Sequence, residues 1–291
     1  MNAIPIVSSD DWEEYKLLDT GAGEKLESFC GYTIVRPDPR AIWSHRLAQS
    51  SWGHADATFI RTDSEHGDWT IRKQAPHPWI LHYHDLKFKL HPTDFKHVGV
   101  FPEQAANWDW IRKQCQTMHA KCQILNLFGY TGAATVAAVK SDAYVTHVDS
   151  SKPSLTWAHE NCDLNEISPA QTRWIADDAY KFVIRETKRK SSYDGILLDP
   201  PRFGRGTKGE VWKLTEDLPT LLYSIKKILK PISFVLLNVY TADLSALAIY
   251  NLMKNVFAQF HGTCEIAELA TKEDDSNRYL PQGVIARWKT Q

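Results

Sequence analysis

From about Cys122 onward, short uninterrupted apolar runs alternate with longer stretches in which apolar residues recur every three or four positions. The first pattern marks buried strands and the second amphipathic helices, so the spacing predicts a doubly wound, Rossmann-like α/β sheet. "QILNLFG" is the first strand, and "GAATVAAVK" is a helix with side chains small enough to pack closely on it. "AYVTHVDS" is the second strand. Ser151 then caps a helix with Pro153 in its first turn and Leu155, Ala158 and Cys162 on one face. "TRWIAD" and the helix "DAYKFVIRETKRK" follow, and "YDGILLDP" is the fourth strand. Leu221, Leu222, Ile225, Ile228 and Leu229 predict a helix over Pro219 to Lys230. "ISFVLLNVY" is a fifth strand, "LSALAIYNLMKNVFAQF" a helix, and "TCEIAELAT" with "GVIARWK" a closing β-β pair, which makes a seven-stranded sheet.

The first ninety residues carry a different pattern. "SFCGYTIVRP", "ADATFIRT", "DWTIRKQ", "WILHYHD" and "LKFKLHP" are short strand candidates separated by turn signals such as "EHGD". We therefore read a small β-rich domain over residues 1–90 and the α/β domain over 91–291. Trp12, Trp43, Trp52, Trp69 and Trp79 are expected to build the core of the small domain. His82 and His84 fall on one strand face without evident further ligands, so a polar face is expected there rather than a metal site.

Composition narrows the function. The chain has 291 residues, 43% of them hydrophobic and 24% charged, which suits a globular protein with a substantial core. The net charge of −1 provides no overall basic field, so any nucleic-acid site must be a local patch. The five cysteines, Cys30, Cys115, Cys122, Cys162 and Cys264, form no C-x-x-C pair, and neither zinc nor a disulfide framework is expected. The N-terminal "MNAIPIVSSDDWEEY" lacks a leader pattern, and no apolar run reaches membrane-spanning length, so a cytoplasmic protein without membrane contact is expected.

In an open parallel sheet, ligands bind beyond the carboxyl ends of the strands, near the point where strand order reverses. The first strand ends in Asn126-Leu127-Phe128-Gly129-Tyr130-Thr131-Gly132, a turn whose glycines let backbone approach a ligand. The second ends in Asp149 and Ser150, with Asp149 about 20 residues past the first glycine, the separation at which an acid commonly accepts from ribose hydroxyls. The third ends in Asp177-Asp178 before Ala179, and the fourth in Asp199. A nucleoside cofactor is thus expected. The turn after the first strand does not read G-x-G-x-x-G, and no G-x-x-x-x-G-K-[ST] occurs, so that turn is not built for a pyrophosphate or triphosphate. S-adenosyl-L-methionine has ribose and adenine without phosphate, and it suits this row of acids, with Asp178 facing the adenine amino group.

"LNLFGYTGAATVAA", "VTHVDSSKPSLTWAHENCDLN", "DDAYKFV" and "DGILLDPPRFGRG" together resemble class I S-adenosylmethionine-dependent methyltransferases, in particular the bacterial large-subunit ribosomal RNA base methyltransferases. The resemblance covers about Phe95 to the C-terminus. It also likens "FKHVGVFPEQAANW" to the family's segment lying against the cofactor, which implies that Phe101, Glu103 and Gln104 are near it. Ala105 stands where the family has arginine.

In the fourth-strand loop, Asp199 can accept a hydrogen bond from acceptor or cofactor. Pro200 and Pro201 stiffen the backbone, donate no N–H, and would leave rigid carbonyls facing a planar substrate. Phe203 offers a stacking surface, and Arg202, Arg205 and Lys208 can meet phosphates. Relatives that methylate pyrimidine carbon-5 carry a cysteine nucleophile after the fourth or fifth strand. "DPPRFGRG" and "LLNVYTAD" have none, which disfavours that chemistry and leaves a base nitrogen of RNA, within ribosomal RNA, as the expected acceptor. A small molecule or protein acceptor is the alternative, and a non-catalytic cofactor-binding module is less favoured. "KRKSS" reads as a solvated helix end rather than a binding patch, "GEVWKLTEDLP" as a segment able to lid the site or simply to pack through Val211, Trp212 and Leu214, and Asn277 to Gln282 as a loop near the same sheet end.

Overall fold

The computed structural model describes residues 4–62, 66–118, 121–205, 209, 211–241 and 243–290. The chain divides into two compact units, one of residues 1–7, 107–269 and 282–291, the other of residues 8–106 and 270–281. The division is not contiguous: twelve late residues fold with the N-terminal segment, whereas the sequence pattern suggested a single cut after residue 90.

The larger unit is built on an eight-stranded sheet. Across it the strands run Thr172–Ala176, Tyr144–Asp149, Gln123–Leu127, Tyr193–Leu198, Leu229–Val239, Tyr279–Thr290, Gly262–Lys272 and Ile6–Val7. The first five are parallel and Tyr279–Thr290 pairs antiparallel to Leu229–Val239. The eighth strand, Ile6–Val7, pairs with Glu268 and Leu269 and escaped the sequence reading, because two residues are too few to show a period. The central strands are buried on both faces, which explains their continuous apolar runs. Leu125, Leu127, Ile196, Leu198, Val235 and Leu237 face Phe182, Val183, Leu218, Leu221, Leu222 and Ile225 in one core cluster. Ser151 caps the helix Lys152–Leu164 as expected, its Oγ accepting from the Ser154 N–H at 3.2 Å.

Some boundaries moved. The helix expected over Pro219 to Lys230 begins at Leu214 and runs to Ile225, with Pro219 inside it, and the strand Leu229–Val239 starts within the expected span. The proline removes one backbone bond, but the buried row Leu214, Leu218, Leu221, Leu222 and Ile225 holds the helix through the gap. The supposed loop Asn277–Gln282 is largely strand, since Tyr279–Thr290 starts within it.

The smaller unit holds a five-stranded sheet in the order Tyr15–Gly21, Glu24–Phe29, Tyr32–Pro37, Ala57–Arg61 and Gly67–Ile71, and a separate hairpin of Ile80–Tyr83 with Leu86–Lys89. "SFCGYTIVRP" is two strands rather than one. Cys30 and Gly31 both have positive φ, +54° and +79°, which is the geometry of a two-residue hairpin turn matched to strand twist. His84 has φ +50° and lies in the hairpin turn, off the strand that carries His82, so the two histidines do not share a strand face. Of the five tryptophans expected in this core, Trp52 and Trp79 are buried, whereas Trp12, Trp43 and Trp69 are partly exposed. The core also contains a charge cluster: Glu27 accepts from both Arg36 Nε and Nη2 and from the Tyr15 hydroxyl. Among the described residues no helix is long and apolar enough to cross a membrane.

Candidate active site

The order of the parallel strands reverses at Gln123–Leu127, whose neighbours are Tyr144–Asp149 on one side and Tyr193–Leu198 on the other. The crevice at this reversal, beyond the carboxyl ends, is where the candidate residues collect. A cavity there is lined by Phe128, Val148, Asp149, Ser150, Asp177, Asp178, Ala179, Pro201, Gly204 and Trp212. Seven of these ten were expected from the sequence; Val148, Gly204 and Trp212 were not.

The turn after the first strand is an uncommon backbone path. Phe128, Tyr130 and Gly132 all have positive φ, at +58°, +48° and +83°. Side chains rarely tolerate this region, so the loop must be held by its surroundings. The Tyr130 N–H donates to Asp149 Oδ2 at 2.8 Å, and the Gly129 N–H donates to the Val148 carbonyl at 3.1 Å. Asn161 Nδ2 donates to the Thr131 carbonyl at 2.9 Å. Beneath the turn, Asn126 Nδ2 donates to Thr135 Oγ1, which pairs with the buried His147 Nδ1 at 2.9 Å. Burial pushes the His147 imidazole down to about 3, so it stays neutral under the loop at physiological pH.

Gly129 is required by this packing, because a Cβ there would lie 2.4 Å from the His147 ring. Gly129→Ala is therefore expected to cost about 1–3 kcal/mol and to lower the thermal midpoint by several degrees, as followed by circular dichroism. An unchanged midpoint would mean that the imidazole yields and does not define the turn.

Asp149 has two tasks. Besides Tyr130, its Oδ1 accepts from the Ser151 N–H at 2.8 Å. Burial raises the carboxyl above the ordinary aspartate range, and the backbone donors of Ser151, Tyr130 and Ser150 oppose the rise. Each oxygen keeps lone-pair capacity for a ligand. At the third strand end the two acids are already engaged. Asp177 pairs with Arg185, and Asp178 caps the helix Ala179–Arg189 through Lys181 N at 2.9 Å. Both nevertheless line the cavity.

Asp199 is half-buried, and its Oδ1 accepts from Asn238 Nδ2 at 2.8 Å. Asn238 is the penultimate residue of the fifth parallel strand, is 1% exposed, and has no hydrogen-bond partner for its Oδ1 among the described residues. This asparagine was missed. A polar residue closing an otherwise apolar run, "SFVLLN", was the available signal.

The Asp-Pro-Pro loop differs from the expectation in one respect. The Pro201 carbonyl does not face an open site: it accepts from Trp212 Nε1 at 2.7 Å. Trp212 lies in the strand Val211–Lys213, which pairs antiparallel with Phe203–Arg205 and packs at 5.1 Å, ring to ring, against Phe128. Part of the segment read as a lid is thus a fixed hairpin tied to the loop. Phe203 on that hairpin is 51% exposed. Arg202 reaches Asp243 at 2.8 Å at the surface. Only the backbone of Arg205 is described, and Lys208 lies outside the described residues.

Phe101, Glu103 and Gln104 belong to the other unit, around the short helix Pro102–Gln104. There Glu103 is buried, which raises its carboxyl above the usual range, and the Pro102 carbonyl accepts from Trp12 Nε1 at 3.1 Å.

Residues 57–250 match the family described as S-adenosylmethionine-dependent methyltransferase. The chain is similar to a crystallised SAM-dependent methyltransferase from Agrobacterium tumefaciens, with a TM-score of 0.92 and 37% identity over 100% of this chain and 97% of that one. A ribosomal RNA large subunit methyltransferase K/L from Magnetococcus marinus is 33% identical over 242 residues, 79% of this chain and 31% of its own length. Its counterpart from Pseudoalteromonas translucida is 35% identical over 147 residues, 50% of this chain and 20% of its own length. The chain thus spans less than a third of the length of these curated relatives.

Proposed function

The chain belongs to the S-adenosylmethionine-dependent methyltransferase family, and from that premise we propose that it methylates a base nitrogen in RNA, within ribosomal RNA. The observation that carries this reading is the meeting of the glycine turn, the acids of the second and third strand ends and the Asp-Pro-Pro loop around one cavity, beside an exposed aromatic ring at Phe203. The names of the curated relatives support RNA as the acceptor.

The lining fits the cofactor chemically. Carboxylates of Asp149, Asp177 and Asp178 match the donors of an adenosine, and Phe128, Val148, Ala179, Pro201 and Trp212 match its ring faces. No lysine or arginine lines the cavity among the described residues, as suits a ligand without phosphate. When bound, S-adenosylmethionine supplies a methyl group already activated on a sulfonium.

On this reading Asp149 takes the ribose hydroxyls, assisted by Ser150, while Asp177, Asp178 and Ala179 flank the adenine. Asn126, Phe128, Gly129, Tyr130, Thr131 and Gly132 shape the wall along the methionine portion. Asp199, oriented by Asn238, accepts an N–H of the acceptor base and fixes its nitrogen toward the methyl group. Pro200 and Pro201 form a stiff wall free of N–H donors, and Phe203 stacks the base. Arg202, Arg205 and Lys208 serve the flanking phosphates.

A pH dependence follows from Asp149. Its carboxyl must be ionised to accept from the ribose, and burial has raised its proton affinity. As pH falls, cofactor affinity should therefore be lost above the range in which an ordinary aspartate titrates, while at neutral pH and above it stays constant. Calorimetric titration of the cofactor from pH 8 to pH 4 measures this; an affinity flat to pH 4 would remove Asp149 from the ribose contact.

The acceptor is tested by mass-spectrometric mapping of methyl groups on ribosomal RNA from cells with and without the protein. Loss of one methylated nucleotide is expected. The near-neutral pI of 6.9 favours the second reading, a protein or small-molecule acceptor. Methyl transfer by purified protein to a metabolite or protein extract, with none to RNA, would establish it.

A further inference from the structure

The helix Ala179–Arg189 leaves the cavity with a charge pattern that cofactor binding does not use. Ala179 lines the cavity, and Phe182, Val183 and Glu186 bury one face. The rest of the helix displays Tyr180, Lys181, Arg185, Lys188 and Arg189, followed by Lys190. Lys181, Arg185 and Lys188 recur at i, i+4 and i+7 and so form one stripe. The helix's single acid, Glu186, is buried, so its outward positions carry cations and no carboxylate.

Two ordinary explanations fall short. Arg185 pairs with Asp177 and Arg189 with Glu186, but Lys188 and Lys190 have no carboxylate partner among the described residues. The helix dipole accounts for cations in the last turn but disfavours one in the first, where Lys181 stands. In a chain of net charge −1 this segregation is local.

We propose that this helix is the docking face for the RNA backbone, leading the strand toward the cavity. The inference rests on the RNA reading above. Eleven residues of helix span about 16 Å, the length of about five stacked nucleotides. An anionic membrane fits less well, since Tyr180 is the only large apolar side chain exposed on the helix and nothing else there can insert among lipids.

The test compares K181Q/K188Q/K190Q with a control of equal charge change on other surfaces, K140Q/K227Q/K254Q. The probes are extracted ribosomal RNA and a 20-nucleotide single-stranded oligoribonucleotide, with salt titrated in both cases. The helix variant should bind at least tenfold more weakly at 0.1 M salt, with a slope of log K against log salt shallower by about 2. The control should match wild type, and all three proteins should bind S-adenosylmethionine equally. Equal RNA affinity and slope in both triple variants, with wild type binding RNA, would overturn the docking face and leave the RNA reading intact. Wild type that binds vesicles of anionic lipid and neither RNA probe would overturn both.

Discussion

Asp199→Ala is expected to reduce the methyl-transfer rate by about 10²–10⁴-fold, the range associated with a group that positions or accepts a proton at the reacting centre. The structure also assigns a modest stability cost. Asn238 Nδ2 would lose its acceptor in a buried setting, a penalty of about 1–3 kcal/mol. The thermal midpoint should therefore fall by a few degrees, and cofactor affinity should change less than the rate does. Single-turnover transfer from labelled cofactor to RNA, measured beside a melting curve, separates these effects. A variant that melts lower yet transfers at the wild-type rate would reduce Asp199 to a partner of Asn238.

Asp149→Ala should have the second large effect, and mainly on binding. The carboxylate holds the Tyr130 N–H, which fixes a residue at φ +48°, and the Ser151 N–H at the head of the next helix. Losing both acceptors should loosen the glycine turn at about 1–3 kcal/mol per orphaned donor. Removing two charge-assisted bonds to the ribose should weaken S-adenosylmethionine by about 100-fold or more. Asp149→Asn keeps an acceptor for one N–H, so it should recover part of the stability and little of the affinity. Thermal shift with and without cofactor reads both quantities. Cofactor stabilisation of Asp149→Ala equal to that of wild type would show that the ribose is held elsewhere.

The candidate site shows why some residues can be read from sequence and others cannot. Asp149, Asp178 and Asp199 stand where an apolar run stops, and that position alone brings them to one rim once the strands are parallel. Trp212 and Asn238 act through partners 11 and 39 residues away, Pro201 and Asp199. No periodicity connects such pairs. The Pro201 carbonyl was misread for the same reason, because its acceptor capacity is taken by an indole that only the hairpin brings near.

By itself the sequence determined the alternation of strand and helix, the strand-end acids and the glycine turn. These depend on burial period and on local backbone chemistry, both of which are written in neighbouring residues. Tertiary structure alone decided the eighth strand, the passage of a helix through Pro219, the return of residues 270–281 to the smaller unit and the neutral His147 packed under Gly129. Each of these is set by contacts between segments distant in the chain, whose combined burial outweighs the local preference of any one of them.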